Sequence, residues 1–215
     1  MFDFDLQLII IRIPAIIIAL TVHEFSHGFA AFLLGDKTAK IDGRLSFNPL
    51  RHLDPIGMLC LIFIGFGWAK PVMVDPHQFK YPKQDMAITA AAGPLSNFIL
   101  AFIVILIYYP LLFLAVTGSI DMDISYVLDF LWVLFSINIV LGIFNLLPIP
   151  PLDGSKVFGF LLPEPLYFRF ISFRYGIVFL LVLIYSGQTF NIINPIIIAM
   201  YNGYFYIVQR IFFFL

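Results

Sequence analysis

Apolar runs long enough to cross a bilayer recur along the whole of this chain. Leu6 to Leu34, Met86 to Phe113 and Tyr126 to Leu147 each reach or exceed the roughly 20 residues that a helix needs to span a hydrocarbon core of about 30 Å. Phe170 to Tyr185 and Ile192 to Phe214 are further candidate spans. The composition agrees: 61% hydrophobic against 12% charged residues, with a mean hydropathy of +1.00, lies far from the soluble balance. The expected fold is an all-α polytopic membrane protein of about five to six transmembrane helices. One domain accounts for residues 1–215, with a core at about 6–160 and additional spans at about 170–214. The run from Gly57 to Trp68 is too short to cross, and Lys70-Pro71 and the alternating pair Val72 and Val74 follow it. It reads as a small re-entrant or β-like membrane-associated loop.

A formal charge of −1 and the lack of any Lys/Arg-dense segment leave no electrostatic footprint for nucleic acid, so the expected partners are the lipid bilayer and membrane proteins. The single cysteine, Cys60, excludes an intramolecular disulfide and argues against a cysteine-based metal cluster. Any metal must use histidine and carboxylate. The N-terminal apolar run has no basic region before it and is too long for a cleaved signal, so it is expected to be retained as a span. Lys37, Lys40, Arg44, Arg51, Lys70, Lys80 and Lys83 cluster between the first two long runs, whereas Ala115 to Ser125 carries Asp121 and Asp123 but no cation. Positive residues in short loops favour the cytoplasmic side. This predicts a multi-pass cell-membrane protein whose His23 and Asp153 both lie toward the cytoplasmic ends of their spans.

The first span contains Thr21-Val22-His23-Glu24-Phe25-Ser26-His27-Gly28. Histidines four apart share one face of a helix, so both imidazoles can bind one ion. Catalytic zinc usually has three protein ligands and an open position for water. Glu24, beside the first ligand, suits the general base that takes a proton from water activated by the metal. The competing reading is a set of hydrogen bonds inside a bundle. Ionisable groups are costly in a membrane span and are functional by default there, which favours metal, one Zn2+ per chain. For the third ligand, His52 and His77 lie in hydrophilic loops, whereas Asp153 follows the break made by Pro148, Pro150 and Pro151. Unwound backbone there can aim a short carboxylate into the bundle. Asp153 is also suited to capping the helix that follows.

His23-Glu24-Phe25-Ser26-His27, together with Asn145-Leu146-Leu147-Pro148-Ile149-Pro150-Pro151-Leu152-Asp153-Gly154, resembles the paired motifs of the site-2 protease family of intramembrane metalloproteases. The resemblance implies that His23, His27 and Asp153 are zinc ligands, that Glu24 is the catalytic carboxylate and that Asn145 supports the oxyanion side; an interhelical hydrogen bond is the alternative for Asn145. Ala92-Gly93-Pro94-Leu95-Ser96-Asn97 is similar to a family motif on the intervening span. It implies a substrate-binding role for Asn97, against a plain packing role for Gly93 and Pro94. Gly65 to Pro71 resembles the family's membrane-associated loop, which offers an edge to an extended substrate; Trp68 as a lipid-facing anchor is the alternative. His52 and Asp54 form either a second polar site or a solvated turn. The chain has no segment large enough for a PDZ or CBS domain and resembles the short bacterial-type core.

The function so implied is zinc-dependent hydrolysis of peptide bonds in transmembrane protein substrates. An inactive homologue that binds membrane helices is the alternative, and Glu24 argues against it. Transport of metal or protons through the His/Asp cluster is a third reading.

Overall fold

The computed structural model of the protein describes residues 6–57, 60, 69–119, 122–173 and 175–213. Helix α1 (Leu6–Leu33) is followed by a polar segment holding the one-turn helix α2 (Thr38–Ile41) and 3-10 turns at Pro49–Arg51 and Pro76–Gln78. Two long helices follow, α3 (Pro82–Val116) and α4 (Ser125–Asn145). The chain then makes the short helices α5 (Asp153–Gly159), α6 (Glu164–Ile171) and α7 (Gly176–Tyr185) before the terminal α8 (Gln188–Phe213). Among the described residues there is no strand, only an isolated antiparallel bridge between Leu53 and Ala69.

Helix α3 packs against both α1 and α4 and sorts its residues by face. Ala90, Gly93, Pro94, Asn97, Ala101, Val104 and Ile105 are buried, while Leu95, Ile99, Ile103 and Ile107 form an exposed stripe at four-residue spacing. In lipid such a stripe costs nothing, because the solvent is as apolar as the side chain; helices associate through close packing and polar contacts instead. Gly142 of α4 serves that packing, since a Cβ there would stand 2.5 Å from the Phe98 ring. The core formed by α3 and α4 centres on Phe135, Ile105 and Ile139. Helix α8 closes it with Tyr201 and Tyr204, whose ring centroids lie 5.2 and 5.8 Å from that of Phe135, and the Tyr204 hydroxyl donates to the Phe98 carbonyl at 2.9 Å.

The all-α polytopic class expected from sequence is what forms, with fewer spans than five to six. Among the described residues three helices are long and apolar enough to cross a membrane, α1, α3 and α4, or four if α6 and α7, bent by 60° at their junction, act as one span. Helix α8 is long enough but carries Gln188, Thr189, Asn191, Asn194, Asn202 and Gln209, which dilute the apolar run. Helix α3 begins four residues before Met86 because Pro82 occupies its first turn and the Asp85 carboxylate accepts from the Tyr81 amide at 2.9 Å. Apolar periodicity does not register such a polar start. Gly35, at φ +112°, lies just beyond the end of α1, in a conformation that favours glycine. The expected re-entrant loop and Trp68 lie largely outside the described residues. Its flanks are joined by the Leu53–Ala69 bridge and by the Lys70 amide donating to the His52 carbonyl at 2.8 Å.

Phe135→Ala would open a void under α8 with no hydrophobic compensation from lipid. Its expected cost is at the low end of the roughly 3–5 kcal/mol typical of buried Phe→Ala changes, read as an earlier midpoint in SDS-induced unfolding of the purified protein.

Candidate metal centre

His23 and His27 lie one helical turn apart on α1, their ring centroids 4.6 Å apart and their planes nearly perpendicular. Both are buried, and so is Asp153, the first residue of α5. The two Nε2 atoms are 3.0 Å apart, and each stands 3.2 Å from Asp153 Oδ2. The three side chains form a group whose donor atoms can share one ion. Zn–N and Zn–O distances of about 2.0–2.2 Å in a tetrahedral site put neighbouring ligand atoms about 3.3–3.5 Å apart, so the triangle needs little adjustment to hold zinc.

The outer ring nitrogens fix the protonation pattern. His27 Nδ1 lies 2.8 Å from the Thr89 carbonyl oxygen, which can only accept, so Nδ1 carries the hydrogen. His23 Nδ1 lies 2.6 Å from Asn97 Oδ1. The Asn97 amide nitrogen is committed to Ala19 O at 3.2 Å and Asn138 Oδ1 at 2.7 Å, so the oxygen faces the ring and accepts from it. In the neutral rings both Nε2 atoms therefore present lone pairs toward each other and toward a carboxylate, with no hydrogen between them. Three buried acceptors converging in this way repel one another, and a cation placed between them would balance them, as would a proton on one ring. The donor set of two imidazoles and one carboxylate suits zinc.

Glycine makes the room. A Cβ on Gly93 would stand 2.5 Å from His27 Cε1 and Nε2 and 2.7 Å from His23 Cε1, and one on Gly154 would fall 2.2 Å from the Leu146 carbonyl oxygen. Gly93 thus lets α3 lie directly behind both rings, and Gly154 lets α5 start against the end of α4. Leu146–Leu152 between them is not helical. Among the described residues the polar partners of the Asp153 side chain are the two histidines and, at a loose 3.9 Å, Lys156 Nζ.

Glu24 is half-buried, and its Oε2 accepts from the Val72 amide at 2.9 Å. Asn145, also half-buried, donates from Nδ2 to Leu141 O of its own helix at 3.0 Å. Asn97 is wholly buried, and its oxygen and both amide hydrogens are taken up within the bundle, so the expected direct contact with substrate would require those bonds to break. His52 is brought elsewhere: it is fully buried and its Nε2 lies 2.7 Å from Ser46 O. Asp54 accepts from the Gly57 amide at 2.8 Å, and His77 is exposed. Among the described residues His52, Asp54 and His77 make no hydrogen bond to one another. Sequence reasoning missed Asn138, Thr89 and Val72. Asn138 was visible as a polar residue inside a span; the other two act through backbone atoms, which leave no sequence signal.

The sequence has counterparts among known proteins. A sequence model of peptidase family M50 matches residues 113–185. The chain is 36% identical over 203 residues to "Putative zinc metalloprotease YwhC" of Bacillus subtilis (strain 168), covering 91% of this chain and 90% of that protein. It is 29% identical over 180 residues to "Putative zinc metalloprotease Rip2" of Mycobacterium tuberculosis (strain ATCC 25618 / H37Rv), covering 81% of this chain and 66% of the relative. No solved structure matches the chain significantly. The chain belongs to peptidase family M50, the site-2 protease family, and is a membrane metalloprotease of that family.

Gly93→Ala is expected to push both imidazoles out of register and to lower zinc affinity by at least about 10-fold, the scale on which outer-shell disturbances act. Zinc retained per chain after dialysis against a chelator, measured by elemental analysis, reads the effect.

Proposed function

We propose that this protein is a zinc-dependent intramembrane endopeptidase that cleaves transmembrane protein substrates from the cytoplasmic side of the cell membrane. The observation that carries the reading is the convergence of His23 Nε2, His27 Nε2 and Asp153 Oδ2 on one point, beside a glutamate of the same helix and within a bundle of membrane-length helices. His23, His27 and Asp153 would hold the ion. Zinc in such a site supplies Lewis acidity toward a peptide carbonyl and makes water acidic enough to give up a proton near neutral pH.

Glu24 takes that proton and returns it to the departing amine nitrogen. The Val72 amide donates to one oxygen of the Glu24 carboxylate and so fixes the direction of the other. Asn145 uses one amide hydrogen on Leu141 O and has a second to offer to the developing oxyanion. An apolar recess of about 240 Å³ lined by Ile17, Ile18, Thr21, Val22, Phe47 and Pro49 lies along α1 before Glu24 and suits an apolar substrate side chain. Peptide groups of a membrane helix are protected by their own hydrogen bonds, so a substrate must unwind locally before it reaches Glu24. The cytoplasmic orientation is supported by the basic polar segment between α1 and α3, which includes Lys37, Lys40, Arg44 and Arg51.

Metal analysis of the wild type beside His23→Ala, Glu24→Gln and Asp153→Ala tests the ligand set: about one zinc is expected in wild type and in Glu24→Gln, and a marked loss in the other two. In proteoliposomes Glu24→Gln should yield no peptide products from a transmembrane substrate carrying Gly-Pro near its midpoint; products from that variant, or none from the wild type with any helix-destabilised substrate, would sink the reading. Asn145→Ala should lower kcat by about 10²–10³, the range for losing an oxyanion donor, with zinc content unchanged.

A further inference from the structure

We propose that Asn138 is a positioning residue for the metal centre, acting on His23 through Asn97. Asn138 sits in the middle of α4, and both it and Asn97 are 0% exposed. Neither comes from the His-Glu-His motif or from the Pro-rich segment before Asp153. The hydrogen bonds run in one direction. Asn138 Nδ2 donates to Leu134 O at 2.8 Å, which leaves its Oδ1 to accept from Asn97 Nδ2 at 2.7 Å. Asn97 Nδ2 also donates to Ala19 O at 3.2 Å, and Asn97 Oδ1 accepts from His23 Nδ1 at 2.6 Å. An amide has one oxygen and one NH2 group, so its flip state is set by its partners. The Leu134 carbonyl, which can only accept, fixes Asn138; Asn138 and Ala19 fix Asn97; Asn97 then requires hydrogen on His23 Nδ1.

The consequence for His23 is a single tautomer, with the Nε2 lone pair directed at His27 Nε2 and Asp153 Oδ2. Without the Asn138 acceptor, one Asn97 N–H is left unsatisfied in a dry bundle, a costly state. With Asn138 gone, Ala19 O at 3.2 Å is the one acceptor left to oppose turning the Asn97 amide over, a turn that would present NH2 to His23 Nδ1. That nitrogen must then accept, the ring hydrogen moves to Nε2, and Nε2 can no longer hold an ion. Asn138 therefore opposes the tautomer that would close the site, at a distance of two hydrogen bonds. His27 needs no such chain, because the Thr89 carbonyl cannot flip.

This inference rests on His23 being a metal ligand. The test uses the full chain in detergent micelles, with zinc affinity measured by competition against a chelator and ligand geometry read from the visible d–d spectrum of the Co2+ form. Asn138→Leu is expected to weaken zinc binding by about 10–100-fold, the range for outer-shell partners of ligating histidines, and to alter the Co2+ spectrum. Asn138→Asp, protonated in the bundle, keeps an acceptor for Asn97 and a donor for Leu134 O, and should restore both readouts. The decisive comparison is the double variant: Asn97→Ala with Asn138→Leu should bind zinc no more weakly than Asn97→Ala alone, because Asn138 acts only through Asn97. Wild-type affinity in Asn138→Leu, or losses that add in the double variant, would overturn the proposal while zinc binding that depends on His23 leaves the metal reading standing. Equal zinc binding by wild type and His23→Ala would overturn both. If Asn138→Leu does not assemble, Asn138→Ala makes the same deletion without added bulk.

Discussion

Three hydrogen-bond acceptors meeting inside a membrane bundle set the terms for the rest of this structure. His23 Nε2, His27 Nε2 and Asp153 Oδ2 approach to 3.0–3.2 Å, and with both rings neutral and their hydrogens on Nδ1 no hydrogen lies between them, in surroundings where a buried polar group without a partner costs several kcal/mol. The neighbouring helices make that arrangement the stable one. Helix α3 supplies the Thr89 carbonyl and the Asn97 amide that hold the hydrogens on the outer ring nitrogens, and α4 supplies Asn138 behind Asn97. The ligands come from α1 and α5, and the groups that orient the histidines come from α3 and α4.

Glycine carries out a second task on which this depends. Lipid provides no hydrophobic drive for helices to associate, so contact must come from close approach. Gly142 receives the Phe98 ring, Gly93 receives both imidazoles and Gly154 meets the carbonyl end of α4. Two of these three glycines lie against the metal centre. The same substitution of hydrogen for a side chain that lets the helices pack also determines where the ligands stand, and the stability of the bundle and the geometry of the site are therefore hard to vary separately.

Much of this could be read in the sequence, for identifiable reasons. Histidines four apart in an apolar run fall on one helical face whatever surrounds them, and the prolines before Asp153 forbid a regular helix there, so both ligand sources were visible. The three long spans were visible because lipid imposes the same minimum length on them all. Helix α8 was counted as a span on its length and apolar ends, although its amides and hydroxyls weaken it as one. The substrate role expected for Asn97 rests on motif position, and its hydrogen-bond partners are set by a register between α1, α3 and α4 that no local pattern encodes. The Val72 amide beside Glu24 is backbone, and any residue type except proline would supply it.

The path from α4 to Asp153 brings these constraints together. His23 lies ten residues before the end of α1, about 15 Å along its axis, and Asp153 Oδ2 stands 3.2 Å from its Nε2, so the non-helical segment Leu146–Leu152 delivers Asp153 to the interior of a membrane-length helix. Irregular backbone is tolerated at such depth only when it is enclosed by protein and its polar groups are satisfied. Pro148 and Pro151 are exposed, and the segment meets the need for satisfied groups through its amides. Pro148, Pro150 and Pro151 have no amide hydrogen to satisfy. The remaining amides all donate within the segment or to the end of α4: Leu146 to Gly142 and Ile143, Leu147 to Phe144, Ile149 to Leu147 and Leu152 to Ile149. Proline is thus more than a helix breaker here. It removes donors at the positions where the chain leaves the helix, and so lets a carboxylate reach the histidines deep in the bundle without leaving an amide bare on the way.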